Sequence, residues 1–152
     1  MFGKFEGVGE FSWGENEKYT GNWVAGNKHG VGIWHGSTGD RYEGEFSDSK
    51  FQGHGTFTWQ TGEVYDGEWS AGVKQGRGRE KFPSGDEYIG SYKAGKFHGV
   101  GRYTYTNGSK YTGNFDSGRK IGYGKIELSN GNKYVGEIRE DYKEGKGGFF
   151  WA

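Results

Sequence analysis

The strongest constraint on the fold is a repeat of 23 residues that runs through almost the whole sequence. Tyrosine recurs at this interval, and a glycine follows each tyrosine two positions later. The tyrosines are Tyr19, Tyr42, Tyr65, Tyr88, Tyr111 and Tyr134. A second pair of glycines recurs in each repeat, from Gly30 and Gly32 to Gly145 and Gly147. A sustained period of this length is typical of repeat architectures, so we expect an array of small structural units.

The period divides the chain, taken as one array over 1–152, into five full repeats and two partial ones. The full repeats are 19–41, 42–64, 65–87, 88–110 and 111–133, and the partial repeats are 3–18 and 134–152. No break in composition separates them. The partial repeats leave two interpretations open, a section of a longer array and a short protein with incomplete end repeats.

Alternation within a repeat predicts strands. In repeat 42–64, Tyr42, Gly44 and Phe46 alternate with Glu43 and Glu45, which is the pattern of a half-buried strand. The segment 53–59 alternates in the same way. Asn-Gly and Ser-Gly pairs near the repeat ends are turn signals. Each repeat is therefore predicted to form one β-hairpin, and successive hairpins to continue one sheet.

The composition indicates how such a sheet is stabilised. The chain has 33 glycines and 28 aromatic residues (11 Phe, 11 Tyr and 6 Trp) but only 13 Val, Ile and Leu residues. Glycine inside a strand often marks a close approach, so we expect rings to lie flat on the glycine backbone. Half-burying one ring removes roughly 100 Å² from water, which stabilises by about 2.5 kcal/mol. We predict an all-β fold, a single-layered, elongated, twisted antiparallel sheet of tandem hairpins with about twelve or thirteen strands.

Several classes of function find no support in the residues. Without cysteine there is no thiol nucleophile and no Cys-ligated zinc. The four histidines are scattered, no phosphate-binding glycine motif is present, and no catalytic residue stands out. Twenty basic residues balance twenty acidic ones, which argues against nucleic-acid binding. No apolar run is long enough for a membrane span or a signal peptide. We expect a soluble cytoplasmic protein that is not an enzyme and has no metal or cofactor.

The repeat resembles a known family. The segments YTGNWVAGNKHGVG at 19–32, YDGEWSAGVKQGRG at 65–78 and YIGSYKAGKFHGVG at 88–101 are similar to MORN repeats (membrane occupation and recognition nexus). The resemblance covers residues 3–152 and implies a twisted antiparallel sheet with a groove lined by glycine and aromatic residues. The departures are local and include Ser49 at a glycine position, and Glu80 and Gly36 at inward aromatic positions.

The resemblance implies several functions rather than one. MORN repeats occur in ciliary radial-spoke and cytoskeletal proteins, in junction proteins between membranes and in plant phosphatidylinositol-phosphate kinases. Our leading prediction is a non-catalytic scaffold that docks a protein partner, a helix or an extended peptide, in the groove, within a ciliary or cytoskeletal assembly. One alternative is a membrane-surface adaptor for anionic phospholipid. The others are a regulatory segment of a larger enzyme and self-association.

The predicted groove consists of aromatic residues on the inward face. They are Tyr42, Phe46, Trp59, Tyr65, Trp69, Tyr88, Tyr92, Tyr103, Tyr105, Tyr111 and Phe115. These rings either hold the sheet together or meet a partner, because exposed apolar patches mark interaction sites and Tyr and Trp dominate binding energies. Both roles are compatible if the tyrosines pack on glycine and offer their hydroxyls outward.

A second candidate site is a row of basic residues at the hairpin tips, which we call the lysine edge. It consists of Lys28, Lys50, Lys74, Lys96, Arg119, Lys120 and Lys143. One charge about every 10 Å along the edge could attract anionic lipid at about 1 kcal/mol per charge. The alternative is a solvated edge that prevents aggregation.

Overall fold

The computed structural model describes residues 3–139 and 142–151, and of residues 142–146 and 149 it describes the backbone alone. Every regular element in this part of the chain is a strand, and thirteen strands form one antiparallel sheet in sequential order. The strands are β1 (Gly7–Trp13), β2 (Glu17–Val24), β3 (Asn27–His35), β4 (Arg41–Ser47), β5 (Lys50–Thr58), β6 (Val64–Ser70), β7 (Val73–Lys81), β8 (Glu87–Lys93), β9 (Lys96–Thr104), β10 (Lys110–Asp116), β11 (Arg119–Glu127), β12 (Lys133–Arg139) and β13 (Tyr142–Phe150). The order runs from β1 to β13 without returning to β1. The predicted all-β sheet of tandem hairpins is confirmed.

The chain divides into two compact units, and each is described by itself below. The N-terminal unit is Met1–Lys74 and the C-terminal unit is Gln75–Ala152. The division falls inside β7.

Each full repeat forms a hairpin with a very short turn. Between β2 and β3 only Ala25 and Gly26 are outside the strands, and both have positive φ, 50° and 82°. Two consecutive left-handed residues form a type I′ turn, whose twist matches that of the flanking strands. Asp48 and Ser49 form the same turn with φ values of 49° and 64°. Ser49 replaces the glycine there, and its backbone N–H donates to the Lys28 carbonyl at 3.0 Å.

The two strands of a hairpin do not pair evenly along their length. In β4 and β5, Gly44 lies opposite Gly55, whereas Phe46 lies opposite Phe51, so the register shifts between the two pairs. Such a bulge locally bends the strand and re-aims its side chains. Its consequence here is that a glycine pair and an aromatic pair stand side by side on the inner face.

The core of each unit consists of aromatic rings packed against this glycine backbone. The first and fifth residues of the full repeats are buried in both units: Tyr19, Trp23, Tyr42, Phe46, Tyr65, Trp69, Tyr88, Tyr92, Tyr111 and Phe115. Within a repeat the two rings meet edge to face, as in Tyr65 and Trp69 with centroids 4.9 Å apart at 83°. Such pairs stabilise by about 0.5–1.5 kcal/mol beyond the area that they bury.

The tyrosine hydroxyls do not point outward as we expected. Tyr42 donates to the Glu45 carbonyl at 2.8 Å, and Tyr88 donates to the Ser91 carbonyl at 2.7 Å. The acceptor in each case is three residues further along the same strand, beside the bulge. A buried hydroxyl needs a partner, and the bulge supplies a carbonyl that is free of the sheet ladder. The expectation of outward hydroxyls is wrong for these tyrosines.

Because these phenols are buried, the fold should lose stability at alkaline pH. Burial raises the pKa of Tyr88 to about 12 and also raises the pKa of Tyr19 and Tyr42. An unfolded tyrosine ionises near pH 10, so above that pH the unfolded state loses protons that the folded state keeps. The free energy of unfolding should therefore hold up to about pH 10 and then fall as pH rises towards 12.

Denaturant melts at a series of pH values test this expectation, with phenolate absorbance recorded alongside. The buried tyrosines should ionise together with unfolding. If all the tyrosines ionise at about pH 10 while the protein is still folded, the burial of these tyrosines in the core is contradicted.

Candidate partner-binding surface

Burial separates the predicted groove residues into two groups. Eight of the eleven are buried in the core: Tyr42, Phe46, Tyr65, Trp69, Tyr88, Tyr92, Tyr111 and Phe115. Trp59, Tyr103 and Tyr105 are half-buried. The first group stabilises the sheet, and only the second group presents ring surface to a partner.

In the N-terminal unit, several rings remain partly uncovered on the inner face, and we call four of them the N-terminal ring strip. They are Trp13, Trp34, Phe51 and Trp59. Phe51 stacks on the buried Tyr42, with centroids 4.0 Å apart and an angle of 14°. Trp34 lies 6.2 Å from Phe51, and its indole N–H donates to Glu17 at 3.0 Å. The strip is therefore a second layer of rings that packs on the buried rings.

The C-terminal unit has an equivalent strip of half-buried rings, the C-terminal ring strip. It consists of Phe82, Phe97, Tyr103 and Tyr105. Phe97 stacks on Tyr88 with centroids 3.9 Å apart at 14°, as Phe51 does on Tyr42. Tyr103 donates its hydroxyl to Asp86 at 2.8 Å. Both strips carry polar atoms at the rim of an aromatic surface.

The sequence analysis did not select Trp13, Trp34, Phe51, Phe82 and Phe97. Trp34 and Phe82 share the inward positions of the second strand with Phe57 and Trp59, so the alternation already contained them. Phe51 and Phe97 lie on the far side of the bulge from segments such as 53–59. Alternation counted from the hairpin turn, rather than from the glycine pair, would have identified both phenylalanines.

Three lysines belong to the aromatic face rather than to the hairpin tips. The ammonium of Lys28 lies 4.6 Å from the Trp13 ring centroid and 5.6 Å from that of Tyr19. Lys74 lies 4.8 Å from the Trp59 centroid and 5.2 Å from that of Tyr65. Lys120 lies 5.1 Å from the centroid of Tyr105 and donates a hydrogen bond to its hydroxyl. At these distances a cation is attracted to the ring face.

The lysine edge does not come together as one row. Lys28, Lys74 and Lys120 point to the ring side, whereas Lys50 and Lys96, one repeat position earlier, are exposed. The reason is that successive strand residues face opposite sides of a sheet. Arg119 is exposed at a hairpin tip, and the side chain of Lys143 lies outside those that the structure describes. Burial lowers the pKa of Lys28, opposed by the charge of Glu17.

In the five full repeats, one position alternates between lysine and phenylalanine, and the partial repeat 134–152 ends this alternation with a second consecutive lysine, Lys143. Lys28, Phe51, Lys74, Phe97 and Lys120 stand 23 residues apart. Where the residue is lysine, it covers a ring of the preceding repeat, and where it is phenylalanine, it stacks on the tyrosine of its own repeat. The inner face thus presents cations and rings in turn.

Glu80 is a buried acid that the sequence analysis noted only as a departure from the pattern. It is 3% exposed and accepts a hydrogen bond from the Tyr92 hydroxyl at 2.7 Å. It holds the repeat position of Trp34, Phe57 and Tyr103. The carboxylate is tolerated among rings because a hydroxyl partner is built beside it.

Removing that hydroxyl with Tyr92→Phe should lower the free energy of unfolding by about 1–3 kcal/mol, because a buried charge loses one of its donors. The matched control is Tyr19→Phe, whose hydroxyl donates to the uncharged Asn22 carbonyl at 2.9 Å. That variant should lose less, about 1 kcal/mol. Urea melts measure both, and equal losses would contradict the assignment of a charge-assisted bond.

The described residues do not suggest a catalytic centre. No cluster of three or more His, Asp or Glu side chains within them could hold a metal ion. Nor does this part of the chain contain a helix that could cross a membrane.

The match to a protein-family profile agrees with this architecture. The profile of the MORN repeat matches residues 19–41, 42–64, 65–87, 88–110, 111–133 and 134–152. The chain belongs to the MORN-repeat family, whose members use the repeat as a scaffold. No curated protein matches it. Among solved structures it is similar to the TCP domain of SAS-4 (dCPAP) of Drosophila melanogaster, solved in complex with a proline-rich motif of Ana2 (dSTIL), with 10% identity, a TM-score of 0.49, and coverage of 95% of this chain and 73% of that one.

Proposed function

We propose that this protein is a non-catalytic scaffold that binds a segment of a protein partner along its ring strips. The observation that supports the proposal is the second layer of partly uncovered rings, the two ring strips, which lie outside the buried core. Exposed aromatic surface bordered by polar groups is typical of protein-binding sites. Tyr and Trp also contribute most of the energy at such interfaces.

The lysines among the rings indicate the chemistry of the partner. In the N-terminal unit, Lys28 and Lys74 lie four strands apart, which is about 19 Å at 4.8 Å per strand. A partner that covers the rings with apolar side chains and places a carboxylate near each ammonium would match both features. An extended peptide spans this distance in about six residues. We therefore favour an extended segment that combines apolar and acidic residues.

Family membership supports a finer proposal about the setting. MORN repeats occur in ciliary and other cytoskeletal proteins, so we place the scaffold in a cytoplasmic assembly of that kind. Localisation of a tagged full-length protein in ciliated cells tests this placement separately from the binding site. A membrane or nuclear location would contradict this placement without contradicting the proposed binding site on the ring strips.

Panning a phage-displayed peptide library against the immobilised protein tests the binding function. We expect the selected peptides to carry aromatic or aliphatic residues together with Asp or Glu. Their affinity, measured by calorimetry, should largely persist when salt is raised from about 50 mM to about 500 mM, because ring contacts are not screened.

Vesicles that contain phosphatidylserine distinguish the membrane-adaptor alternative. Binding to vesicles that collapses in high salt, and is lost in Lys50→Glu with Lys96→Glu, would favour that alternative. If the library yields no peptide whose affinity falls when a ring-strip residue is replaced, the scaffold proposal fails.

A further inference from the structure

The balanced charge of the whole chain conceals two units of opposite charge. The N-terminal unit holds 6 basic and 11 acidic residues, a net charge of −5. The C-terminal unit holds 14 basic and 9 acidic residues, a net charge of +5. Sign asymmetry between the parts of a chain indicates electrostatic partners. The side of the sheet opposite the rings shows where these charges lie.

In the C-terminal unit, that outer side carries a row of cations. Consecutive cross-strand partners from β7 to β12 are Arg79, Ile89, Arg102, Thr112, Lys125 and Val135. A cation therefore stands on every second strand, about 10 Å apart. Arg77 adds a further positive charge on β7 beside the row.

Apolar side chains lie next to these cations. On the outer side of the C-terminal unit, Val100 is 62% exposed and Tyr123 is 63% exposed. We call Arg77, Arg79, Arg102 and Lys125 with Val100 and Tyr123 the basic face. Exposed apolar residues beside charged ones favour a protein partner, whereas a nucleic acid or a lipid headgroup would leave the apolar residues unmatched.

The outer side of the N-terminal unit has the same plan with the opposite charge. Its row of consecutive partners is Glu10, Thr20, Ile33, Glu43, Thr56 and Asp66. Val8 is 81% exposed and Val31 is 61% exposed, and Glu45 is the cross-strand partner of Val31. We call Glu10, Glu43, Glu45 and Asp66 with Val8 and Val31 the acidic face.

Several of the charges on both faces are engaged in local ion pairs at the surface. Arg79 pairs with Glu87 at 2.8 Å, and Glu43 pairs with Arg41 at 2.7 Å. Exposed pairs of this kind contribute about 0–1 kcal/mol, so a partner can rearrange them at little cost. Arg102 has no ion pair within the described residues.

We propose that the basic face of one copy binds the acidic face of a second copy of this chain. The contact joins two different surfaces, so it is heterologous. This self-association uses the side opposite the ring strips and does not depend on the proposed peptide site. Opposite charge provides attraction, and the valines and Tyr123 provide apolar area to bury.

Sedimentation velocity of the full chain tests the proposal. We expect concentration-dependent association up to about 100 µM, in the range of weak complexes. It should weaken at least about tenfold between about 50 mM and 500 mM salt, because the contact is electrostatic. A protein that stays monomeric at low salt would overturn the proposal. Vesicles containing phosphatidylserine would then show whether the basic face serves an anionic membrane instead.

Face-specific variants provide the sharper test. Arg79→Glu with Arg102→Glu changes the summed charge of the basic face from +4 to zero, and Glu43→Lys with Asp66→Lys changes that of the acidic face from −4 to zero. Each variant alone should be monomeric, because it keeps only one native face. An equimolar mixture of the two should form dimers and no larger species, since the intact face of each variant fits the intact face of the other. A mixture that stays monomeric would overturn the proposal.

The matched control is Lys93→Glu with Lys96→Glu, which changes the charge of the C-terminal unit by the same amount at a hairpin tip. This variant should associate like the native chain. If it is monomeric as well, total charge rather than the basic face governs association, and the proposal fails. Circular dichroism confirms that each variant is folded.

Discussion

Alanine at Gly101 should lower the free energy of unfolding by about 3 kcal/mol, at the upper end of the usual cost of overpacking a core. A methyl group there would lie 2.5 Å from Cε2 of Tyr88. The ring cannot move aside, because Phe97 stacks on it at 3.9 Å and Phe115 meets it edge-on at 5.2 Å. The same clash accounts for the glycine at this repeat position. Urea denaturation followed by tryptophan fluorescence measures the loss.

The chain contains its own control for this substitution. Gly9 holds the same repeat position as Gly101, but a methyl group there would meet only the Trp23 ring, at 3.8 Å. Gly9→Ala should therefore change stability by no more than about 0.5 kcal/mol, as a surface substitution does. If both variants lose stability equally, backbone preference rather than the ring explains these glycines.

Replacing Trp59 with alanine should weaken binding of the library-selected peptides by about 1–4 kcal/mol, the range for an aromatic hot spot. Trp59 is half-buried beside Lys74, and its ring lies on Phe57 with centroids 4.5 Å apart. A peptide that covers this ring loses that contact area in the variant, while the buried core below remains. Calorimetric titration of the same peptide against both proteins measures the change.

Trp69→Ala separates binding from folding. Trp69 is buried, and its indole N–H donates to the Gly55 carbonyl at 3.0 Å, so its removal should cost about 3–5 kcal/mol of stability. Melting curves should show this loss for Trp69→Ala and a much smaller one for Trp59→Ala. A folded Trp59→Ala variant that binds normally, while Lys50→Glu with Lys96→Glu abolishes binding, would move the site to the exposed tip lysines.

The sequence predicted the strands because each repeat alternates with period two and places rings over glycines. It did not separate covered rings from uncovered ones, since Tyr65 and Trp59 have the same inward parity. The difference between covered and uncovered rings arises from packing: Tyr42, for example, is covered by the stacked ring of Phe51, which itself stays half-buried. Because of the bulge between Gly44 and Phe46, the alternation of inward residues that begins at Gly55 does not extend to Phe51. The net charge of the whole chain was similarly uninformative, because a total of zero does not show that the two units carry opposite charges.

In the five full repeats, lysine and phenylalanine alternate at one position, so neighbouring full repeats are not interchangeable. Lys74 lies over Trp59 of the preceding repeat, and this contact depends on a ring at that position. If residues 42–64 were excised, Lys74 would instead follow Gly36, which has no ring to offer. If residues 42–87 were excised, Phe97 would follow Gly36, as Phe51 does in the native chain. Within the five full repeats, the element that can be deleted while this lysine–ring contact is kept is therefore a pair of hairpins.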